Sequence, residues 1–135
     1  MSYGGAAALQ AAVYGALVAD PLVASLSGGA VHDALPPGPV PPLYVSLGPE
    51  SVRDASDKTG AGAVHDFAVT VVSLGAGFAG AKALAVAVSD ALSGAALVMA
   101  RGHLVRLDFL RARARRVSGQ REIEVWFRAR VDHGV

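Results

Sequence analysis

The last third of the chain alternates apolar and charged residues on both sides of Ser118-Gly119, and this pattern constrains the fold more than any other feature of the sequence. Alternation with a period of two predicts β-strands, and a two-residue turn containing glycine joins antiparallel neighbours. With that turn, the predicted opposite pairs are Arg115 and Glu122, Arg113 and Glu124, Arg111 and Trp126 on one face, and Ala114 and Ile123, Ala112 and Val125, Leu110 and Phe127 on the other. One face is therefore apolar, and the other is a ladder of mainly opposite charges.

The alternation slips at Phe109 and Leu110, which are adjacent and both apolar. A β-bulge at this point would restore the register. Beyond the bulge, the predicted opposite pairs are Leu107 and Ala129, Val105 and Val131, and Asp108 and Arg128. These pairs predict one long hairpin that begins at Leu104 and ends at Val131.

Two segments have the apolar periodicity of helices. The first runs from Ala6 to Ala19, where an apolar stripe of four-residue spacing is widened by Tyr14 and Val18, and the second runs from Gly80 to Ser93. The segment from Asp20 to Gly29 begins with an N-cap residue followed by proline and ends with two glycines. These signals predict a short helical turn between the two helices.

Strands are predicted from Leu43 to Gly48 and from Val64 to Leu74, where β-branched residues are frequent. The polar stretch from Pro49 to Ala63 separates them. A loop of that length is unusual in a compact domain, so we expect it to be mobile in a free subunit and ordered against a neighbour. The prolines between Pro36 and Pro42 predict an extended segment. The fold prediction is one α+β domain over residues 1–135, with an antiparallel sheet that ends in the long hairpin and packs against two α-helices.

Charge is distributed unevenly, although the net charge is only +1. Residues 1–100 carry three basic and seven acidic residues, a net −4, whereas residues 101–135 carry nine arginines and four acidic residues, a net +5. The chain has no cysteine, which excludes disulfides and thiolate metal sites. It lacks an uninterrupted run of 18 apolar residues and a basic N-terminal region, so we expect no membrane span, no signal peptide and synthesis in the cytoplasm.

The hairpin arginines have two interpretations. They form the solvated outer face of a sheet, or they form a nucleic-acid-binding surface, although the net charge is lower than a dedicated DNA-binding domain requires. The first interpretation explains the arginines that face carboxylates. Four arginines have no predicted carboxylate partner: Arg106, Arg116, Arg121 and Arg130.

The sequence GAGFAG, from Gly75 to Gly80, matches the G-x-G-x-x-G fingerprint of dinucleotide-binding proteins and lies between a predicted strand and a predicted helix. The acidic residue expected about 20 positions later is missing, and the strands that follow form a hairpin. A glycine-rich turn is therefore favoured over a nucleotide site, which remains the alternative.

The tetrapeptide Ala-Val-His-Asp occurs twice, from Ala30 to Asp33 and from Ala63 to Asp66. A His-Asp pair can bind a metal ion or orient a base, but adjacent residues of a strand point to opposite faces. His103 and His133 lie near the open end of the hairpin without a carboxylate cluster. Exposed or edge-strand histidines are therefore favoured over a metal site, and neither a nucleophile elbow, a P-loop nor an H-E-x-x-H motif indicates an enzyme.

Several segments, taken in order, resemble one known family. They are LQAAVYGALVADPLV from Leu9, AVHDALPPG and PPLYVSLG between Ala30 and Gly48, the strand from His65, GFAGAKALAVAVSDAL from Gly77 and the closing arginine hairpin. Together they resemble the phage tail completion, or tail terminator, family of long-tailed phages and gene transfer agents. The order and spacing of the segments carry this resemblance, which covers nearly the whole chain.

The resemblance implies a non-enzymatic structural protein of the virion or phage-like particle, without a cofactor. It implies a hexameric ring at the head-proximal end of the tail tube that ends tube polymerisation. The implied partners are further copies of the chain, the tail tube protein and the head–tail connector protein, with DNA only as passing cargo. The charged residues that we predict at contacts between subunits or stacked rings are Arg53, Asp54, Asp57, Lys58, Arg106, Arg116, Arg121 and Arg130.

Overall fold

The fold is given by a computed structural model, which describes residues 3–33, 41–56, 60–75 and 77–133. The elements in these ranges are α1 (Ala6–Ala19), α2 (Pro21–Ser27), β1 (Val31–His32), β2 (Leu43–Asp54), β3 (Gly62–Ser73), α3 (Ala79–Leu92), β4 (His103–Val117) and β5 (Gln120–Asp132). The sheet order is β1-β2-β3-β5-β4, and only the pair β1 and β2 is parallel. The predicted α+β class is confirmed.

Helix α1 has the predicted bounds, and α3 begins and ends one residue before the predicted Gly80 and Ser93. The Asp20 side chain accepts hydrogen bonds of 3.0 Å from the backbone N–H groups of Leu22 and Val23, and Pro21 occupies the first position of α2. Gly28 then ends α2 in the left-handed region, at φ 64°. The predicted short turn is thus a third helix, which packs beside the two longer ones.

The prediction of a loop from Pro49 to Ala63 is wrong, because β2 continues to Asp54 and β3 begins at Gly62. A register shift between Leu47 and Glu50 allows the strand to continue. At this shift Gly48 has φ 101°, a backbone angle that favours glycine. The two strands therefore form a long antiparallel pair, and the predicted proline-rich segment lies largely outside the described residues.

The C-terminal hairpin turns at Ser118 and Gly119, whose φ angles are 48° and 78°. Two successive positive values define the type I′ geometry that matches the twist of a hairpin. The predicted register from the turn to Arg111 is confirmed, and so is the bulge at Phe109 and Leu110. Two predicted pairs are wrong, because Phe109 lies opposite Phe127 and Leu104 opposite Val131, with a second bulge between Leu104 and Arg106.

The core lies between the helices and one face of the sheet, here called the helix side. Phe127 is fully buried at its centre, where its ring stacks on Phe67 at 5.6 Å and receives the edge of Phe109 at 6.3 Å. Leu17 of α1 and Leu84 of α3 close the core from above. Aromatic pairs of this geometry add about 0.5–1.5 kcal/mol to the free energy of burial.

The helix layer does not cover the sheet evenly. α1 packs on α2, α3 and β1, whereas α3 lies across β3 and β5 and reaches β4. Leu104 and Leu107, near the start of β4, are consequently buried, but the strand is exposed from Phe109 to Arg116. Within the described ranges, the second half of this edge strand therefore has no covering layer on its helix side.

Candidate functional site

The outer face of the sheet, opposite the helices, carries the predicted ladder of charges. A guanidinium nitrogen of Arg115 lies 3.6 Å from a Glu122 oxygen and 3.7 Å from a Glu124 oxygen. Arg113 faces Glu124 in the register, as predicted, but it is exposed and forms no ion pair with another described residue. One arginine thus holds both glutamates, and Arg113 remains available at the surface.

Two further contacts organise this outer face. Arg111 stacks over the Trp126 ring, 5.0 Å from its centre, as the register predicts. Arg128 binds Asp66 through two hydrogen bonds of 2.8 Å, which lower the pKa of that carboxyl group. The predicted position of Asp108 opposite Arg128 is confirmed by the register. Arg128 nevertheless forms its ion pair with Asp66 on β3 and not with Asp108.

Most of the arginines that lacked a predicted partner have one within the chain. Arg106 is paired with Asp108 at 2.9 Å, and Arg130 donates a 2.8 Å hydrogen bond to the carbonyl oxygen of Ala55. Arg116 is exposed and makes no ion pair or hydrogen bond with another described residue. The prediction that all of these arginines are unpaired is therefore wrong, and Arg116 is the exception.

Arg121 is held by the glycine-rich turn that resembled a nucleotide-binding fingerprint. Its guanidinium donates to the Gly75 carbonyl at 3.1 Å and lies 5.5 Å from the centre of the Phe78 ring. β5 lies between β3 and β4 in the sheet, so the strands flanking α3 are not adjacent. The glycine-rich turn and α3 therefore do not connect two adjacent parallel strands, as a dinucleotide-binding crevice requires.

The predicted contact residues at the other end of β2 are only partly described. Arg53 and Asp54 are exposed at the end of the strand, and the Asp54 carboxylate accepts a 2.7 Å hydrogen bond from the Ser56 hydroxyl group. Asp57 and Lys58 lie outside the described residues. Membership of all these charged residues in an interface stays a prediction.

His65 is fully buried, so the expectation of exposed or edge-strand histidines is wrong for this residue. Burial lowers its pKa, with His133 acting in the same direction and Glu50 opposing it. Asp66, its neighbour in sequence, lies on the outer face instead. His103 is exposed. Within the ranges that the structure describes, no three histidine, aspartate or glutamate side chains are grouped to hold a metal ion.

Among the described residues, apolar side chains are exposed on one side of α1 and on the helix side of β4, and the sequence pattern did not predict either surface. Tyr14 and Val18, which widen the predicted apolar stripe of α1, are 42% and 45% exposed. On the helix side of β4, Phe109 is 46% exposed, and Ala112 and Ala114 are also exposed. One feature of the sequence could have indicated the α1 surface. The helix has no charged residue on any side, which is typical of a helix that other elements cover all round.

An open cleft of about 470 Å³ lies beside the exposed side of α1. The Tyr3 hydroxyl group donates a hydrogen bond to the Glu50 carboxylate at this cleft. This hydrogen bond raises the pKa of Tyr3, since a deprotonated tyrosine could not donate it. Asp33 provides a second carboxylate, and Leu47 and three alanines of α1 (Ala6, Ala7 and Ala11) form the apolar walls. The cleft is thus apolar in its walls and acidic at its rim.

No single helix in the described ranges is long and apolar enough to cross a membrane. Helices α1 and α2 reach the required length and composition only as a pair, and they are bent by 77° relative to each other.

In the described ranges, the edge strand β4 and helix α1 both expose apolar side chains, which is typical of a subunit that assembles with other protein chains. The chain belongs to the family described as tail completion protein gp17, whose sequence model matches residues 11–132. A chain in the solved structure "Virion of native gene transfer agent (GTA) particle" is similar to it at 64% sequence identity and a TM-score of 0.94, over 97% of this chain and 99% of that one. No curated protein sequence matches the chain significantly. The resemblance found in the sequence is therefore confirmed at the level of the family.

Proposed function

We propose that this chain is a structural subunit of a phage-like particle that forms a ring, of six copies, at the head-proximal end of the tail tube. The ring ends tube polymerisation and joins the tail to the head–tail connector. The observation that carries the proposal is the likeness to a chain of a gene transfer agent virion across nearly the full length of both chains. Its neighbours would be its own copies, the tail tube protein and the connector protein.

The open surfaces support a ring. A contact between two different patches of the same chain repeats from copy to copy, and it closes into a ring when the rotation is correct. The subunit offers two different uncovered patches, one on α1 and one on β4. The uneven charge of the chain, −4 before residue 101 and +5 from there on, favours unlike patches in contact.

The proposed role is structural and not catalytic, and DNA passes through the ring only as cargo. Several free cations around the lumen would bind the phosphate backbone and retard the passage of DNA. The internal hydrogen bonds of Arg121 and Arg130 reduce the number of such free cations. We therefore place Arg116 at a protein contact and not at the lumen.

The test is electron microscopy of particles from producer cells in which this gene is deleted. We expect tubes of irregular, excessive length, or tails of normal appearance that fail to join heads. Re-expression of the unaltered chain from a plasmid is the control and should restore joined particles. Normal tails of normal length attached to filled heads in the deletion strain would refute the assignment.

A further inference from the structure

Helix α1 carries a second apolar stripe in addition to the one that faces the core. Its members are Ala7, Ala11, Tyr14 and Val18, at spacings of four, three and four residues, and all four are exposed. We call this set the α1 outer face. An apolar stripe of this kind packs on another apolar surface, and the small alanine side chains allow that surface to approach the helix closely.

The uncovered half of β4 has a complementary character. Phe109, Ala112 and Ala114 project from its helix side, because they lie opposite the core residues Phe127, Val125 and Ile123 in the register. We call Phe109, Ala112 and Ala114 the β4 free face. A sheet face of this kind is normally covered by a helix, but these three residues are exposed among the described parts of the chain.

The two faces lie on the same side of the sheet, and both are exposed in the single chain. α1 packs on β1, the first strand in the sheet order, and its N-terminal end lies against Val131 and His133 at the end of β5. The β4 free face lies in the half of the last strand that leads to the Ser118-Gly119 turn. A neighbouring copy placed edge to edge would lay its α1 over the bare half of β4 and continue the helix layer.

Charge supports this pairing over a contact between two identical faces. The cleft beside the α1 outer face carries the carboxylates of Asp33 and Glu50. Arg116 lies on the helix side of β4, in register with Arg121, and has no partner among the described residues. An acidic rim on one copy would meet the free arginine of the next, whereas two acidic rims would repel each other.

We propose that the contact between successive copies is heterologous, with the α1 outer face of one subunit packed on the β4 free face of the next. This inference rests on the proposed ring and names the surfaces that close it. The occupant of each face is therefore a second copy of this chain. Arg116 is the positioning residue that directs the β4 free face toward the acidic cleft.

Cysteine cross-linking tests the contact directly, because the natural chain contains no cysteine. The variant carries Val18→Cys together with Ala112→Cys, two exposed positions on the two faces. Purified particles are treated with a short bifunctional maleimide, and the subunits are separated on a denaturing gel. We expect a ladder of covalent species up to the number of copies in the ring.

Three controls define the geometry. Val18→Cys alone and Ala112→Cys alone should each give monomers, since a heterologous contact brings unlike positions together. Ser51→Cys with Ala112→Cys should also give monomers, because Ser51 is exposed on β2 but on the outer face. Tyr14→Cys with Ala114→Cys provides a second pair across the same contact if the first pair is not incorporated.

The outcomes separate this inference from the ring itself. Dimers from Val18→Cys alone, or monomers from both double variants in particles whose rings are visible by electron microscopy, would overturn the α1–β4 contact and leave the ring intact. An absence of rings in the untreated particles would overturn the proposed function as well. A ladder that appears only in the two double variants across the contact supports it.

Discussion

Replacing His65 with leucine tests how the core accommodates a buried imidazole. The side chain is fully buried between Val52 and Ala129 on the adjacent strands, and neither ring nitrogen makes a hydrogen bond within the described parts of the chain. A buried polar group without a partner costs about 1–3 kcal/mol, and leucine has a similar volume without polar atoms. We therefore expect His65→Leu to raise the free energy of unfolding by about 1–2 kcal/mol at pH 7.

The same substitution should change the pH dependence of stability. The folded pKa of His65 is lowered by burial, whereas the imidazole of the unfolded chain titrates near ~6.5. Below pH ~6.5 the unfolded state therefore binds more protons, and the free energy of unfolding decreases as the pH falls toward the folded pKa. The limiting slope for one such group is about 1.4 kcal/mol per pH unit. His65→Leu removes this contribution.

The assay is urea unfolding between pH 5 and 7.5, followed by the fluorescence of the single tryptophan, Trp126. One fixed protein concentration is needed, because association adds to the apparent stability. His103→Leu is the matched control, since this histidine is exposed and its replacement removes no buried polar group. If His65→Leu were less stable than the natural chain at pH 7 and kept the full pH slope, the argument from the unsatisfied imidazole would be wrong.

Three further substitutions have expected effects on stability. Asp20→Ala removes the cap of α2 and should lower the free energy of unfolding by about 0.5–2 kcal/mol in thermal melts. Asp20→Asn keeps a capping oxygen and should be close to the natural chain in stability, so equal losses in both variants would contradict the capping role. Asp66→Asn breaks the bidentate pair with Arg128 and should cost about 1 kcal/mol at pH 7, more than Asp108→Asn. Because the pKa of Asp66 is lowered, that loss should disappear as the pH falls below about 4 in urea titrations, and a loss independent of pH would argue against the ion pair. Phe127→Ala should cost about 3–5 kcal/mol by urea unfolding, and a cost below 1 kcal/mol would contradict the packing at the centre of the core.

The hairpin could be predicted from the sequence because its information is local. Alternation fixes which residues share a face, and the Ser118-Gly119 turn fixes the register from that point outward. The residue opposite Phe127 was predicted wrongly, because either Phe109 or Leu110 on the apolar face is consistent with the alternation. Packing against Phe127 decides between them, and that contact is not visible in the strand's own sequence.

The second half of β2 was missed for a related reason. Pro49 and the polar residues after it have the composition of a loop, and local propensity predicts one. Pairing with β3 overrides that propensity, and the bulge at Gly48 allows the strand to pass the proline. The candidate surfaces show the same limit. A carbonyl oxygen such as that of Gly75 cannot be recognised as the partner of Arg121 until the fold brings the two together.

The exposed half of α1 illustrates what periodicity leaves open. Tyr14 and Val18 adjoin the core stripe in the sequence, so the pattern alone assigns them to the core. The structure contains no second layer on that side of the helix within the described ranges, and both side chains face outward. An apolar helix face in a single chain therefore does not distinguish the interior of a subunit from a contact between subunits.

The two bulges of β4 affect the tendency of the free subunit to aggregate before assembly. An edge strand of fifteen residues offers a long row of unpaired backbone groups on which other chains can form strands and grow into fibres. The irregularities at Leu104–Arg106 and Phe109–Arg111 divide that row, and its longest regular stretch is Arg111–Val117, which carries four arginines. A foreign strand therefore loses register within the strand and meets a dense positive charge along its longest regular stretch. The subunit can thus keep a broad surface open for assembly without offering a continuous template for aggregation.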